Sequence, residues 1–242
     1  MACQANQEED AKPIGKKYNR VDAASHNTQL GLAYLKQGDR PKAKLKLALA
    51  LSQAPNSAST NGAMAYYLEQ TGSTKLARQY YEKAVRLAPG KGAQLNNYGA
   101  FLCRQGEYLQ ADHYFNKAAD DINYDNTAGS LENAGLCSLS VPNKTKASLY
   151  FTRALKQDPS RKLALYELVK LDIMEKNYPK ALNNLNKYPK ITLNDKTLLQ
   201  LASDVASKMG KDDLASSYYR RLQRINESSD KTGVNNEYNR VS

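Results

Sequence analysis

The sequence predicts an all-α protein, a solenoid of six helix–turn–helix repeats wound into a right-handed superhelix. Three observations carry that prediction. First, a small residue, a large apolar residue four later and usually a second small one seven later recur along the chain. They read Ala43/Leu47/Ala50, Ala77/Tyr81/Ala84, Ala111/Phe115/Ala118, Ala147/Phe151/Ala154, Ala181/Leu185/Tyr188 and Ala215/Tyr219/Leu222. Second, the leading alanines stand 34, 34, 36, 34 and 34 residues apart, which is the length of one helical hairpin per period. Third, a breaker precedes each alanine: Gly38, Gly72, Gly106, Pro142, Lys176-Asn177 and Gly210. Glycine accepts the left-handed turn that ends a helix, and proline cannot continue one.

The first repeat, residues 24–57, has Leu30, Gly31 and Tyr34 on its first helix, the turn at Gly38, and Pro55 closing the second helix. The second, 58–91, turns at Gly72 and stops at Pro89; the third, 92–127, carries Tyr98, Gly99 and Leu102 before Gly106. The fourth, 128–161, contains Gly135 and ends at Pro159. In the fifth and sixth, 162–195 and 196–229, Tyr188 and Leu222 replace the second small residue, a departure typical of repeats that cap a stack. Glycine and alanine let the two helices of a pair approach closely, and the large residue fills the hole beside them. Residues 1–23 and 230–242 hold few apolar side chains and are predicted to be flexible tails. This register of Leu-Gly, Tyr, Ala, aromatic and Pro resembles the tetratricopeptide repeat over about residues 24–229.

The same chain lacks the residues that chemistry needs. Its two histidines, His26 and His113, stand in no metal-binding spacing, and there is no glycine-rich phosphate loop, Gly-x-Ser-x-Gly elbow or Cys-x-x-Cys. No catalytic residue, metal or cofactor is expected. No apolar run approaches the roughly 18 to 20 residues that span a bilayer, and mean hydropathy is -0.70. The net charge is +11, and basic residues occur in every repeat, without a long polybasic block or an aromatic-glycine stacking motif. Nucleic acid is therefore not the expected partner.

In a stack of this type the first helices line a concave groove suited to a peptide or helix from another protein. Groove positions are those not used by the packing pattern: Thr28, Leu32, Leu35 and Tyr66 in the first two repeats, and Asn96, Leu136 and Leu139 in the third and fourth. Thr28 and Leu32 occupy the places where a chaperone-type carboxylate clamp would need Lys or Asn. Cys103 and Cys137 lie on neighbouring first helices, four and two residues after Gly99 and Gly135. Two residues are about 200° of rotation, so the thiols can face each other, and both a disulfide and a pair of free buried cysteines fit. Cys3, in a polar tail, is either a lipidated first residue behind a cleaved leader or a chance cysteine.

The stretch Ala93-Gln94-Leu95-Asn96-Asn97-Tyr98-Gly99-Ala100-Phe101-Leu102-Cys103, followed by Asn133-Ala134-Gly135-Leu136-Cys137, resembles the type IV pilus biogenesis and stability lipoproteins, the pilotins of the pilus secretin. That resemblance implies a non-enzymatic outer-membrane lipoprotein facing the periplasm, acylated at Cys3, that promotes localisation and multimerisation of the secretin. It also implies the Cys103–Cys137 disulfide, because the periplasm is oxidising. The fold alone permits a basic repeat scaffold for another envelope or cytosolic assembly, or a nucleic-acid-associated repeat protein.

Overall fold

The computed structural model describes residues 19–141 and 143–238, so Cys3 and Pro142 lie outside the described residues. Thirteen helices and no strand occur among these residues. They pair as hairpins: α1 (Arg20–Lys36) with α2 (Arg40–Gln53), α3 (Ala58–Gln70) with α4 (Thr74–Leu87), and α5 (Gly92–Arg104) with α6 (Tyr108–Ala119). α7 (Thr127–Leu139) pairs with α8 (Lys144–Gln157), α9 (Lys162–Met174) with α10 (Tyr178–Lys187), and α12 (Lys196–Lys208) with α13 (Asp212–Tyr238). The single turn α11 (Pro189–Thr192) precedes the last pair.

Five of the six hairpins close in the same way. The residue after the breaker donates its N–H back to a carbonyl near the end of the first helix: Asp39 to Tyr34 at 2.9 Å, Ser73 to Leu68 at 2.8 Å, Glu107 to Leu102 at 2.9 Å, Asn177 to Asp172 at 2.8 Å and Lys211 to Ala206 at 2.9 Å. This closure requires a left-handed residue just before the donor. Gly38, Gly72, Gly106 and Gly210 supply it with φ of 82°, 84°, 80° and 67°, and in the fifth repeat Lys176 adopts φ 57°. Asp39, Asn177 and Asp195 then cap the next helix through their side chains, accepting from Lys42, Lys180 and Leu198 N–H groups.

The alternating small and large positions form the core. Ala43, Leu47, Ala77, Ala111, Phe115, Ala147, Phe151, Ala181 and Leu185 are essentially sealed from solvent. Burial of each large side chain contributes about 1.5–3 kcal/mol. A Cβ added at Gly31 would meet Leu47 Cγ at 2.6 Å, and one at Gly135 would meet Phe151 Cε1 at 2.6 Å, so glycine there is a condition of the close helix approach. The last repeat departs from this pattern. Tyr219, expected in the hole, is half-exposed, and Tyr218 is the buried ring, its hydroxyl donating to Asn186 Oδ1 at 2.6 Å. Ser203 stands where the first, third and fourth repeats place glycine, and its hydroxyl bonds Ala215 O at 3.0 Å. No further hairpin follows α13 among the described residues to cover Tyr219. α13 itself runs on through Tyr238, past position 230 where a tail was predicted.

The 34-residue period crosses Leu87 without interruption, but packing divides the chain there into two compact units, one ending at Leu87 and the other beginning at Ala88. Pro89 and Gly90, the latter at φ 75°, mark the junction. In the second unit Asp121 anchors the α6–α7 loop by accepting from Gly92 N at 2.8 Å. That bond and the one from Asn123 N–H hold its carboxyl below the usual aspartate range.

Candidate functional site

In the first unit, Leu32, Leu35 and Lys36 fall on one face of α1 at i, i+3 and i+4 spacing, and Tyr66 and Gln70 on one face of α3 at i, i+4. With Gly38 and Arg40 from the turn they enclose a concavity of about 500 Å³. Leu32 is 37% and Tyr66 42% exposed. Leu35 is only partly buried and packs on the core formed by Ala43, Leu47, Ala63, Met64 and Tyr67, which ties the cavity wall to the fold. Lys36 and Arg40 border it with positive charge, and no acidic side chain lines it. The result is an apolar depression with a basic edge.

Thr28 does not belong to that surface. It is buried, its hydroxyl bonds Ala24 O at 2.7 Å, and it shares a 3.0 Å hydrogen bond with the Thr60 hydroxyl. Thr28 thus joins α1 to α3 as a polar clasp inside the stack. Asn96 is likewise buried, its Oδ1 accepting from Asn133 Nδ2 at 3.0 Å to join α5 to α7. Both are corrections to the predicted groove, and they share a cause: one face of each first helix is turned to the neighbouring repeat. Leu136 is half-buried on α7 and Leu139 is exposed near its end.

The second unit also holds a concavity of about 620 Å³ that the periodicity did not suggest. Tyr108 and Leu109 from the start of α6, Ala134 and Cys137 from α7, and Val141 provide its apolar walls. Neither Leu136 nor Leu139 lines it. Asp112 and Lys146, which also line it, belong to a network between repeats: the Tyr150 hydroxyl donates to Asp112 at 2.6 Å, Asn116 donates to the Tyr150 oxygen at 2.6 Å, and Lys146 pairs with Asp112 at 2.8 Å. Burial, aided by the bond to Asp112, pushes the Tyr150 hydroxyl up to about 12. Beside this concavity a disulfide joins Cys103 on α5 to Cys137 on α7, with Cα atoms 5.9 Å apart. Among the described residues no group of three or more His, Cys, Asp and Glu is placed to hold a metal.

The tetratricopeptide repeat family model matches residues 58–91, which hold α3 and α4. The type IV pilus assembly protein PilF of Pseudomonas aeruginosa is 30% identical over 216 residues, 89% of this chain and 86% of that protein. An uncharacterized protein of Haemophilus influenzae is 37% identical over 123 residues, 51% of this chain and 69% of that protein. Among solved structures, Pseudomonas aeruginosa PilF superposes with a TM-score of 0.70 at 30% identity, covering 86% of this chain and 94% of that one. PilW, a widely conserved type IV pilus biogenesis factor, superposes with a TM-score of 0.64 at 25% identity, covering 83% and 92%.

Proposed function

Since the chain belongs to the family of the type IV pilus assembly protein PilF, we propose that it acts as the pilotin of a pilus secretin. In this reading it is a scaffold without catalysis, anchored to the periplasmic face of the outer membrane through acyl chains on Cys3. It binds a secretin segment and promotes the placement and multimerisation of the channel there. The observation that carries the reading is the depression bounded by Leu32, Leu35 and Tyr66, because large apolar side chains left exposed around one concavity mark a partner site. The basic edge of Lys36 and Arg40 favours a segment with an acidic residue next to its apolar anchor. Retention by lipid needs no other anchor, since several acyl chains at about 0.8 kcal/mol per buried CH₂ hold far better than one.

Replacing Leu32, Leu35 and Tyr66 together by Ser should leave most helicity intact and reduce secretin multimers in outer-membrane fractions. The Cys3→Ser variant should still bind the secretin in detergent extracts while the complex is mislocalised. Normal multimers with the triple variant would place the contact elsewhere, and normal secretin assembly with Cys3→Ser would remove the tether.

A further inference from the structure

α2 is apolar on two opposite faces. Ala43, Leu47 and Ala50 are fully buried against α1 and α3. On the opposite side Pro41, Leu45, Ala48, Leu49 and Ser52 are all exposed, Leu45 at 66% and Leu49 at 41%. At 100° per residue these five fall within an arc of about 100° around Leu45. Lys44 and Lys46 flank that arc, each about 100° from Leu45 on either side, and Lys42 lies at its border, paired with Asp39 at 2.8 Å. α2 itself contains Arg40, Lys42, Lys44 and Lys46 and no acidic residue. The charge is concentrated here: residues 19–87 hold ten Lys and Arg against four Asp and Glu, and eight of those ten lie on α2 and α4.

An exposed leucine stripe bordered on both sides by lysines is the pattern of a helix lying in a lipid interface, with aliphatic stems reaching along the apolar side and ammonium groups meeting phosphates. The charge decides among occupants. A second copy docking through the same face would bring Lys44 and Lys46 against their own kind, which is repulsive. A peptide partner needs a concavity, and of α2 only Arg40, at its first position, borders the depression described above. We infer that the outer face of α2 rests on an anionic phospholipid surface, with Leu45 and Leu49 in the interface and Lys44 and Lys46 on the headgroups. This face is distinct from the Leu32–Leu35–Tyr66 depression and does not depend on what fills it.

The test uses the full chain with Cys3→Ser, so that no acyl group contributes, and vesicles of phosphatidylcholine with or without phosphatidylglycerol. Sedimentation should show binding to the phosphatidylglycerol vesicles, weakening as salt rises, and little to pure phosphatidylcholine. K44Q/K46Q should weaken binding on the order of thirtyfold, and L45S/L49S should weaken it at least as much while circular dichroism stays that of the parent. The triple Ser variant of the depression should bind as the parent does, which separates this result from the secretin reading. Absence of binding to the anionic vesicles overturns the proposal. So does binding that L45S/L49S leaves untouched, since the stripe would then be idle. Concentration-dependent dimerisation removed by L45S/L49S assigns the face to a second copy, and parent-like vesicle binding by K44Q/K46Q with lost retention on poly-glutamate assigns it to an acidic protein; either result replaces lipid as the occupant.

Discussion

At Gly135 the Phe151 ring lies where a side chain would begin, whereas at Gly62 an added Cβ would meet Ala84 Cβ at 3.9 Å, an ordinary contact. The same substitution should therefore have opposite signs. Gly135→Ala should lower stability by about 1–3 kcal/mol through overpacking, and Gly62→Ala should raise it by up to about 1 kcal/mol through helix propensity. Thermal melts of the two variants test this, and a shared sign would mean that the close approach at Gly135 does not matter. Lys176 holds a left-handed φ of 57° where four other turns have glycine. Lys176→Gly should accordingly raise the melting temperature, since a non-glycine residue in that region costs roughly 1–2 kcal/mol. Tyr150 gives a pH prediction. Its folded pKa, raised from 10.0 to about 12, means that the folded state holds the proton more tightly; the stabilisation is complete below pH 10 and is lost as pH rises toward 12. Denaturant titrations between pH 9 and 12 should show the parent losing more stability than Tyr150→Phe. At this scale the sequence discloses the small and large packing positions, because they repeat. It does not disclose that Thr28 and Asn96 face the next repeat, because a short polar side chain suits a groove or a buried clasp equally until its partners, Thr60 and Asn133, are placed.

Helix pairs were legible where breakers were strong. The breakers Gly38 and Lys176-Asn177 locate the starts of α2 and α10 from sequence, and the alanine register at Ala43 and Ala181 locates their buried faces. Reading failed at Tyr219, because Tyr218 and Tyr219 are adjacent aromatics and the choice between them depends on Asn186 one repeat earlier. It failed also at the concavity of Tyr108, Leu109 and Val141, whose walls come from helix starts and a connecting segment rather than from one periodic face. The element-scale prediction concerns α5 and α7, joined by Cys103 and Cys137 across a separation of 34 residues. Closing a loop of that length stabilises by about 3–4 kcal/mol in the chain-entropy account. The Cys103→Ser/Cys137→Ser protein should melt lower than the oxidised parent and should match the reduced parent. Alkylation of the parent without reductant, followed by intact-mass measurement, should leave both thiols unmodified.

Within each of the two units, the helices of the described residues pack chiefly on their hairpin partners and on the helices of adjacent repeats, so stability is assembled from neighbouring terms rather than from one shared core. Ala215→Leu, which overpacks the last hairpin, should accelerate amide exchange in α12 and α13 and leave α1 to α4 protected as in the parent. Uniform acceleration would mean that the array behaves as one cooperative block. The disulfide adds a covalent shortcut to one of these neighbour contacts, that of α5 with α7. If the two ends are pulled apart, as a tethered protein attached to a moving machine can be, tension passes through the sulfur atoms and bypasses the intervening backbone. The oxidised protein should then extend roughly 110 Å less at full contour than the reduced one, a difference that single-molecule stretching with and without reductant would read directly. Under load, oxidation sets how far the chain yields.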